Sequence, residues 1–148
     1  MENGDIMRRL TGALLGATFL AAPAFAEPGN LPADSAWKML QRGDLVVLDV
    51  RTPTEWAMTG LPRDSHGTNL QDRDFIEQAR GAVLGDLDQP VAVICRSGSR
   101  SHEAATRLEK AGFTHVFDIS EGMSGNDETG GGWLKRGLPT DPFIPPDR

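Results

Sequence analysis

The chain of 148 residues has one cysteine, Cys95, and the five residues after it, Arg96-Ser97-Gly98-Ser99-Arg100, bring two cations, two hydroxyls and a glycine. A thiol is a nucleophile only as the thiolate, a form favoured by nearby positive charge and by N–H groups aimed at one point. A tight loop entering a helix supplies such groups, because the first helical turn has donors without intrahelical partners. Cys95 is therefore expected to be substantially ionised. Arg96, Ser97, Gly98, Ser99 and Arg100 are expected to cradle an anionic substrate, with both arginines drawing it in. A buried, inert cysteine is the opposing reading, and it suits an apolar setting better than this cationic one.

Other polar residues are read more plainly. Asp49 and Arg51, at the end of an apolar run, are expected to buttress the loop by ion pairing, the alternative being that they line the site. Glu55 reads as part of a helix cap. His66, His102 and His115 lack metal-ligand spacing; His102 is expected at the surface and His115 in a structural place. Trp133 is expected in the core or at its rim.

These residues need elements to hold them. The runs 45–50 (Leu-Val-Val-Leu-Asp-Val) and 90–95 (Pro-Val-Ala-Val-Ile-Cys) are nearly continuous, β-branched and apolar, as in strands covered on both faces. A weaker run spans 115–119. Between them lie helical signals, so the order reads as repeated β and α units with a parallel sheet. Thr52-Pro53-Thr54-Glu55 is a capping box with Pro at the first helical position. Asp72 is expected to cap a helix through Phe75, Ile76 and Ala79, and Ala104, Ala105, Leu108 and Ala111 form a stripe closed by Gly112. An earlier helix through Ala36, Trp37 and Leu40 should end near Gly43. Residues 121–132 are too rich in glycine to be helical, 133–136 predict one last turn, and 142–148 a frayed tail.

The first 26 residues read differently. Arg8 and Arg9 precede a short apolar run, 10–22, and Ala24-Phe25-Ala26 offers a small-x-small site, the pattern of a secretory signal cleaved after Ala26. The arginine pair leaves general secretory and twin-arginine export both open. A periplasmic or otherwise exported protein of one domain, 27–148, is expected, with no stable membrane span after processing. Removing two basic and two acidic residues leaves 13 against 19, still a net charge of −6. An acidic body without a basic run argues against a nucleic-acid partner. No second cysteine is present for an internal disulfide, so in an oxidising compartment this thiol should be either buried or used.

Asp49-Val50-Arg51 with Glu55-Trp56, the loop Cys95-Arg96-Ser97-Gly98-Ser99-Arg100-Ser101, and Glu121-Gly122-Met123 with Gly137-Leu138-Pro139 together resemble a rhodanese domain over about residues 31–139. The resemblance implies an α/β fold of three layers, a central, mainly parallel five-stranded sheet with helices on both faces. It also implies sulfur transfer from a small anionic donor such as thiosulfate, through a persulfide on Cys95, to cyanide, a thiol or a protein thiol. Neither a metal nor an organic cofactor is implied. Two stretches depart from the family pattern: 60–67 follows the usual Gly-His-Ile-x-Gly-Ala only loosely, and 124–132 is lengthened. Cysteine phosphatases and arsenate reductases place five residues between Cys and Arg to encircle an oxyanion; here four intervene, a ring suited to one sulfur atom. A rhodanese-like binding module without turnover, or a periplasmic sulfur carrier for one partner, is the alternative function.

Overall fold

The computed structural model describes residues 27–146; the expectation of an export segment cleaved after Ala26 falls outside the described residues. In chain order the elements are β1 (Gly29–Asn30), α1 (Ala33–Gln41), β2 (Val46–Asp49), α2 (Pro53–Thr59), β3 (Leu61–Pro62), β4 (His66–Gly67), α3 (Phe75–Ala82), β5 (Val91–Ile94), α4 (Ser99–Lys110), β6 (Val116–Asp118) and β7 (Thr140–Asp141).

Five strands form one sheet in the order β1-β6-β5-β2-β4, with every neighbouring pair parallel. Alternation along β2 and β5 explains why both runs are apolar throughout. Leu48, Val50, Val91, Val93 and Cys95 pack with Phe75, Ala79, Ala104, Ala105 and Leu108 of α3 and α4. Leu45, Val47, Ala92 and Ile94 point the other way, to Ala33 and Ala36 of α1 and to Ile119, Met123 and Trp133. Each face of a parallel strand is thus dry, and helices cover both. The expected three-layer α/β architecture is what the chain adopts. β3 and β7 form a separate antiparallel pair outside this sheet.

Local chemistry sets most helix ends as expected. Thr52 Oγ1 accepts from Glu55 N while Glu55 Oε2 accepts from Thr52 N, completing the capping box of α2. Gly112, with φ of +102°, follows Ala111, the C-cap of α4. Trp133 is fully buried, meets Trp37 edge to face at 6.1 Å, and donates from Nε1 to Pro139 O. Residues 133–137 make one turn, closed by Arg136 N to Gly132 O.

Two expectations are corrected. Asp72 does not cap α3; Asp74 holds the N-cap position without a side-chain capping bond, and Asp72 accepts from Asn69 and Gln78 instead. The tail is not simply frayed through 142–146, because Phe143 stacks edge to face on Trp56 with ring centroids 5.2 Å apart. An aromatic pair of this kind contributes about 0.5–1.5 kcal/mol beyond its buried area.

Candidate active site

β5 ends at Ile94, and Cys95 lies at its carboxyl end, where open parallel sheets place their ligands. The residue is only 1 % exposed. Its sulfur nevertheless has polar company. Gly98 N donates to Cys95 Sγ at 3.1 Å, and the thiol donates toward Ser101 Oγ at 3.6 Å, whose own hydroxyl donates to Gly98 O. Gly98 is the N-cap of the 12-residue α4, so the sulfur faces the positive end of a helix dipole. Among the described hydrogen bonds, that of Gly98 is the one from a backbone N–H to Sγ.

The backbone shape rests on two glycines. Gly98 has φ of +111°, and a Cβ there would stand 2.4 Å from Ser120 O. Gly122 has φ of +66°, and a Cβ there would stand 2.4 Å from Arg96 O. The chain after β6 therefore packs backbone to backbone against the cysteine loop, with Met123 N to Cys95 O and Ser124 N to Arg96 O both bonded.

The arginines of the loop divide. Arg100 is committed to Glu55, with two bonds of 2.7 Å between guanidinium and carboxylate. That pair raises Arg100 above its ordinary value, with smaller support from the charges of Cys95 and Asp49. Arg96 is exposed and lines a cleft of about 280 Å³ together with Arg51, Glu55, Met58, Thr59 and Ser124. Ser97, Gly98 and Ser99 line a larger cleft of about 760 Å³ with His102, Ser120 and the 126–129 segment. The cysteine loop is thus the partition between two clefts.

Asp49 and Arg51 form an ion pair whose described hydrogen bonds run to each other and to the end of α2, not to the cysteine loop. Both are buried, Arg51 Nη2 lies 2.6 Å from Asp49 Oδ2, and the guanidinium also donates to Thr59 Oγ1 and Gly60 O. Burial pushes the Asp49 carboxyl above its ordinary range, and the Arg51 hydrogen bonds and charge oppose it. The pair ties the end of β2 to the end of α2.

Three further residues were given no role from sequence. Glu121 is 4 % exposed and accepts from Ala33 N at 2.7 Å, Gly132 N at 2.5 Å and Arg136 Nε at 2.8 Å. Burial raises its carboxyl, but those donors outweigh the rise and hold it below its ordinary value. Asp118, on β6, buries Oδ1 without a partner among the described residues, and its Oδ2 lies 3.9 Å from His102 Nδ1. Burial raises the Asp118 carboxyl above its ordinary value, and the charge of His102 opposes the rise. Asn126 bonds the loop itself. His102 is a surface residue, as expected, although it lines the larger cleft. His115 is exposed just before β6, and its carbonyl accepts from Val91 N.

The Arg100 bonds first, and then the capping contacts with Thr52, hold the Glu55 carboxyl at about 2 against an ordinary 4.5. A carboxyl lowered by folding contributes stability above its unfolded value, and that contribution is lost as pH falls through the folded one. Unfolding by urea should therefore show a loss between about pH 5 and pH 2 that is smaller in Glu55→Gln, which keeps an acceptor for the cap. Because both partners are partly open to solvent, the difference should be on the order of 1 kcal/mol. Parallel stability curves for the two proteins across that window would show that the pair has no such role.

The model of the Rhodanese-like domain matches residues 32–128. An uncharacterized protein of Rickettsia conorii is 30% identical over 117 residues, covering 74% of this chain and 94% of that one. The thiosulfate sulfurtransferase GlpE of Pseudomonas fluorescens is 33% identical over 94 residues, covering 64% and 80%. The polysulfide-sulfur transferase homodimer of Wolinella succinogenes superposes with a TM-score of 0.62 at 27% identity, covering 80% of this chain and 82% of that one.

Proposed function

The chain belongs to the rhodanese-like family, and from that premise we propose that it is an exported sulfurtransferase using Cys95 as its sulfur carrier. The observation that supports this best is the Gly98 N–H directed at Cys95 Sγ from the start of α4. In the reaction, the Cys95 thiolate forms a bond to the outer sulfur of thiosulfate while the donor's own S–S bond breaks. The bonding pair leaves on sulfite, a stable anion, so no general acid is needed. Cys95 then carries a persulfide whose outer sulfur stands about 2.05 Å beyond Sγ, farther into the loop opening. An acceptor nucleophile takes that sulfur and returns Cys95 as thiolate. Cyanide would leave as thiocyanate and a thiol as its own persulfide. The likeness to a polysulfide-sulfur transferase adds polysulfide to the candidate donors.

The two arginines take different parts in this reading. Arg96, exposed in the smaller cleft, is the cation that meets an anionic donor. Arg100, gripped by Glu55, shapes the loop and adds positive potential beside the sulfur. Ser97, Gly98 and Ser99 supply the backbone that surrounds the carried sulfur, and Asp49 with Arg51 hold the floor.

Intact mass after exposure to thiosulfate tests the proposal. A gain of one sulfur atom on Cys95, lost again on adding cyanide, is expected. An unchanged mass with thiosulfate and with polysulfide, while the thiol remains free to alkylation, would overturn it in favour of a binding module.

A further inference from the structure

The lengthened segment between Met123 and Trp133 is wound around one side chain. Asn126 Oδ1 accepts from Glu128 N at 3.1 Å and from Thr129 N and Thr129 Oγ1, both at 2.8 Å. Its Nδ2 leaves that segment altogether and donates to Ser97 O and Ser120 O, both at 2.9 Å. The orientation of the amide follows from its neighbours, since the two carbonyls can only accept and the two backbone N–H groups can only donate. No other side chain in the segment reaches the cysteine loop by a described hydrogen bond.

Ser97 C=O and Gly98 N–H are the two ends of a single planar peptide unit. The N–H end donates to Cys95 Sγ, and the C=O end receives Asn126 Nδ2. A donor on the carbonyl fixes the rotation of the plane and polarises the unit, which strengthens its N–H as a donor. The second acceptor of Asn126, Ser120 O, is the atom that a Cβ on Gly98 would meet first. One side chain therefore holds both the peptide that addresses the sulfur and the surface beneath it.

We propose that Asn126 is a positioning residue for Cys95, orienting the 97–98 peptide so that Gly98 N–H is presented to the sulfur. This gives the lengthened segment a role in the reaction without any contact to the reacting atoms. The inference rests on the sulfurtransferase reading only for its effect on turnover. Ionisation and reactivity of the Cys95 thiol report the positioning itself, so they answer even if sulfur transfer is never observed. The ionisable neighbours of the loop are left unchanged by the test: Arg96 of the loop itself, Arg100 of α4 with its partner Glu55 of α2, Asp49 and Arg51 at the end of β2, Asp118 of β6 with His102, and Asp127 and Glu128 beside Asn126.

The test follows the rate of Cys95 alkylation against pH in the full chain and three variants. Asn126→Ala removes both carbonyl contacts. Asn126→Asp keeps the oxygen that winds the segment but loses the donor; it is measured in about 0.5 M salt, which screens the added charge. Thr129→Val loosens the segment alone. The alkylation midpoint should rise by about 0.5–1 pH unit in both Asn126 variants and stay at the parent value in Thr129→Val. Equal midpoints in parent and Asn126→Asp, or an equal rise in Thr129→Val, would overturn the proposal. The same coupling is readable without substitution, so an unfolded variant does not remove the test. In the native chain, the Asn126 side-chain amide resonances should titrate together with Cys95, and shifts that ignore that titration would equally reject it.

Discussion

Cys95→Ser is expected to give a folded protein that has lost thiosulfate:cyanide sulfur transfer by at least about 10⁴-fold. The hydroxyl is nearly the size of the thiol and still accepts from Gly98 N, so the loop keeps its partner at the position where Sγ now takes a 3.1 Å bond. A serine oxygen cannot carry a sulfane sulfur, so the lost step is the covalent one. Cys95→Ala provides the contrast in stability. It leaves the part-buried Gly98 N–H without its acceptor, which should destabilise the fold by about 1–3 kcal/mol, whereas Ser should not. Steady-state assays with thermal unfolding of all three proteins decide the matter. A Ser variant that retained activity near the parent level would end the assignment of Cys95 as sulfur carrier.

Much of the frame was readable because it depends on local pattern. Residues 45–50 and 90–95 announce strands dry on both faces, and β2 and β5 occupy those runs as central neighbours in the sheet. The capping box at Thr52 and the terminal glycine at Gly112 are likewise written within a few residues of where they act. The place of the cysteine loop was legible for the same reason, since Cys95 to Ser101 is one short segment between a strand and a helix, but of its N–H groups only that of Gly98 makes a described bond to the sulfur.

What escaped is long-range and polar. Glu55 reaches Arg100 across 45 positions, Glu121 reaches Ala33 across 88, and Asn126 reaches Ser97 across 29. Such pairs obey no period, since neither helical nor strand repetition brings their members together. Glu55 shows how a correct local reading hides a second duty, because the carboxylate that completes the cap of α2 is also the one that engages Arg100. Arg100 is thus engaged by Glu55 while Arg96 stands exposed in the smaller cleft, a difference that nothing in the local sequence announces. Asp72 failed in the opposite sense: a plausible capping residue lost the position to Asp74, because its carboxylate is taken by Asn69 and Gln78.

The backbone of Gly98 should be as demanding as the sulfur. A residue with a side chain at φ of +111° carries strain of about 1–3 kcal/mol, and its Cβ would overlap Ser120 O at 2.4 Å. Ser120 O cannot retreat freely, because Asn126 Nδ2 holds it. In Gly98→Ala the loop must move instead, and the N–H aimed at Cys95 moves with it. Stability should fall by about 2–4 kcal/mol, and kcat/KM for thiosulfate by about 10²-fold or more, the scale of losing one aimed donor or misplacing a reacting group by an ångström. Gly137→Ala separates strain from placement. Gly137 also has positive φ, +67°, but a Cβ there meets nothing within 4 Å. That variant should lose about 1 kcal/mol and keep its kcat/KM. If Gly98→Ala instead kept kcat/KM while unfolding no more easily than Gly137→Ala, the N–H of Gly98 would have no part in holding the sulfur.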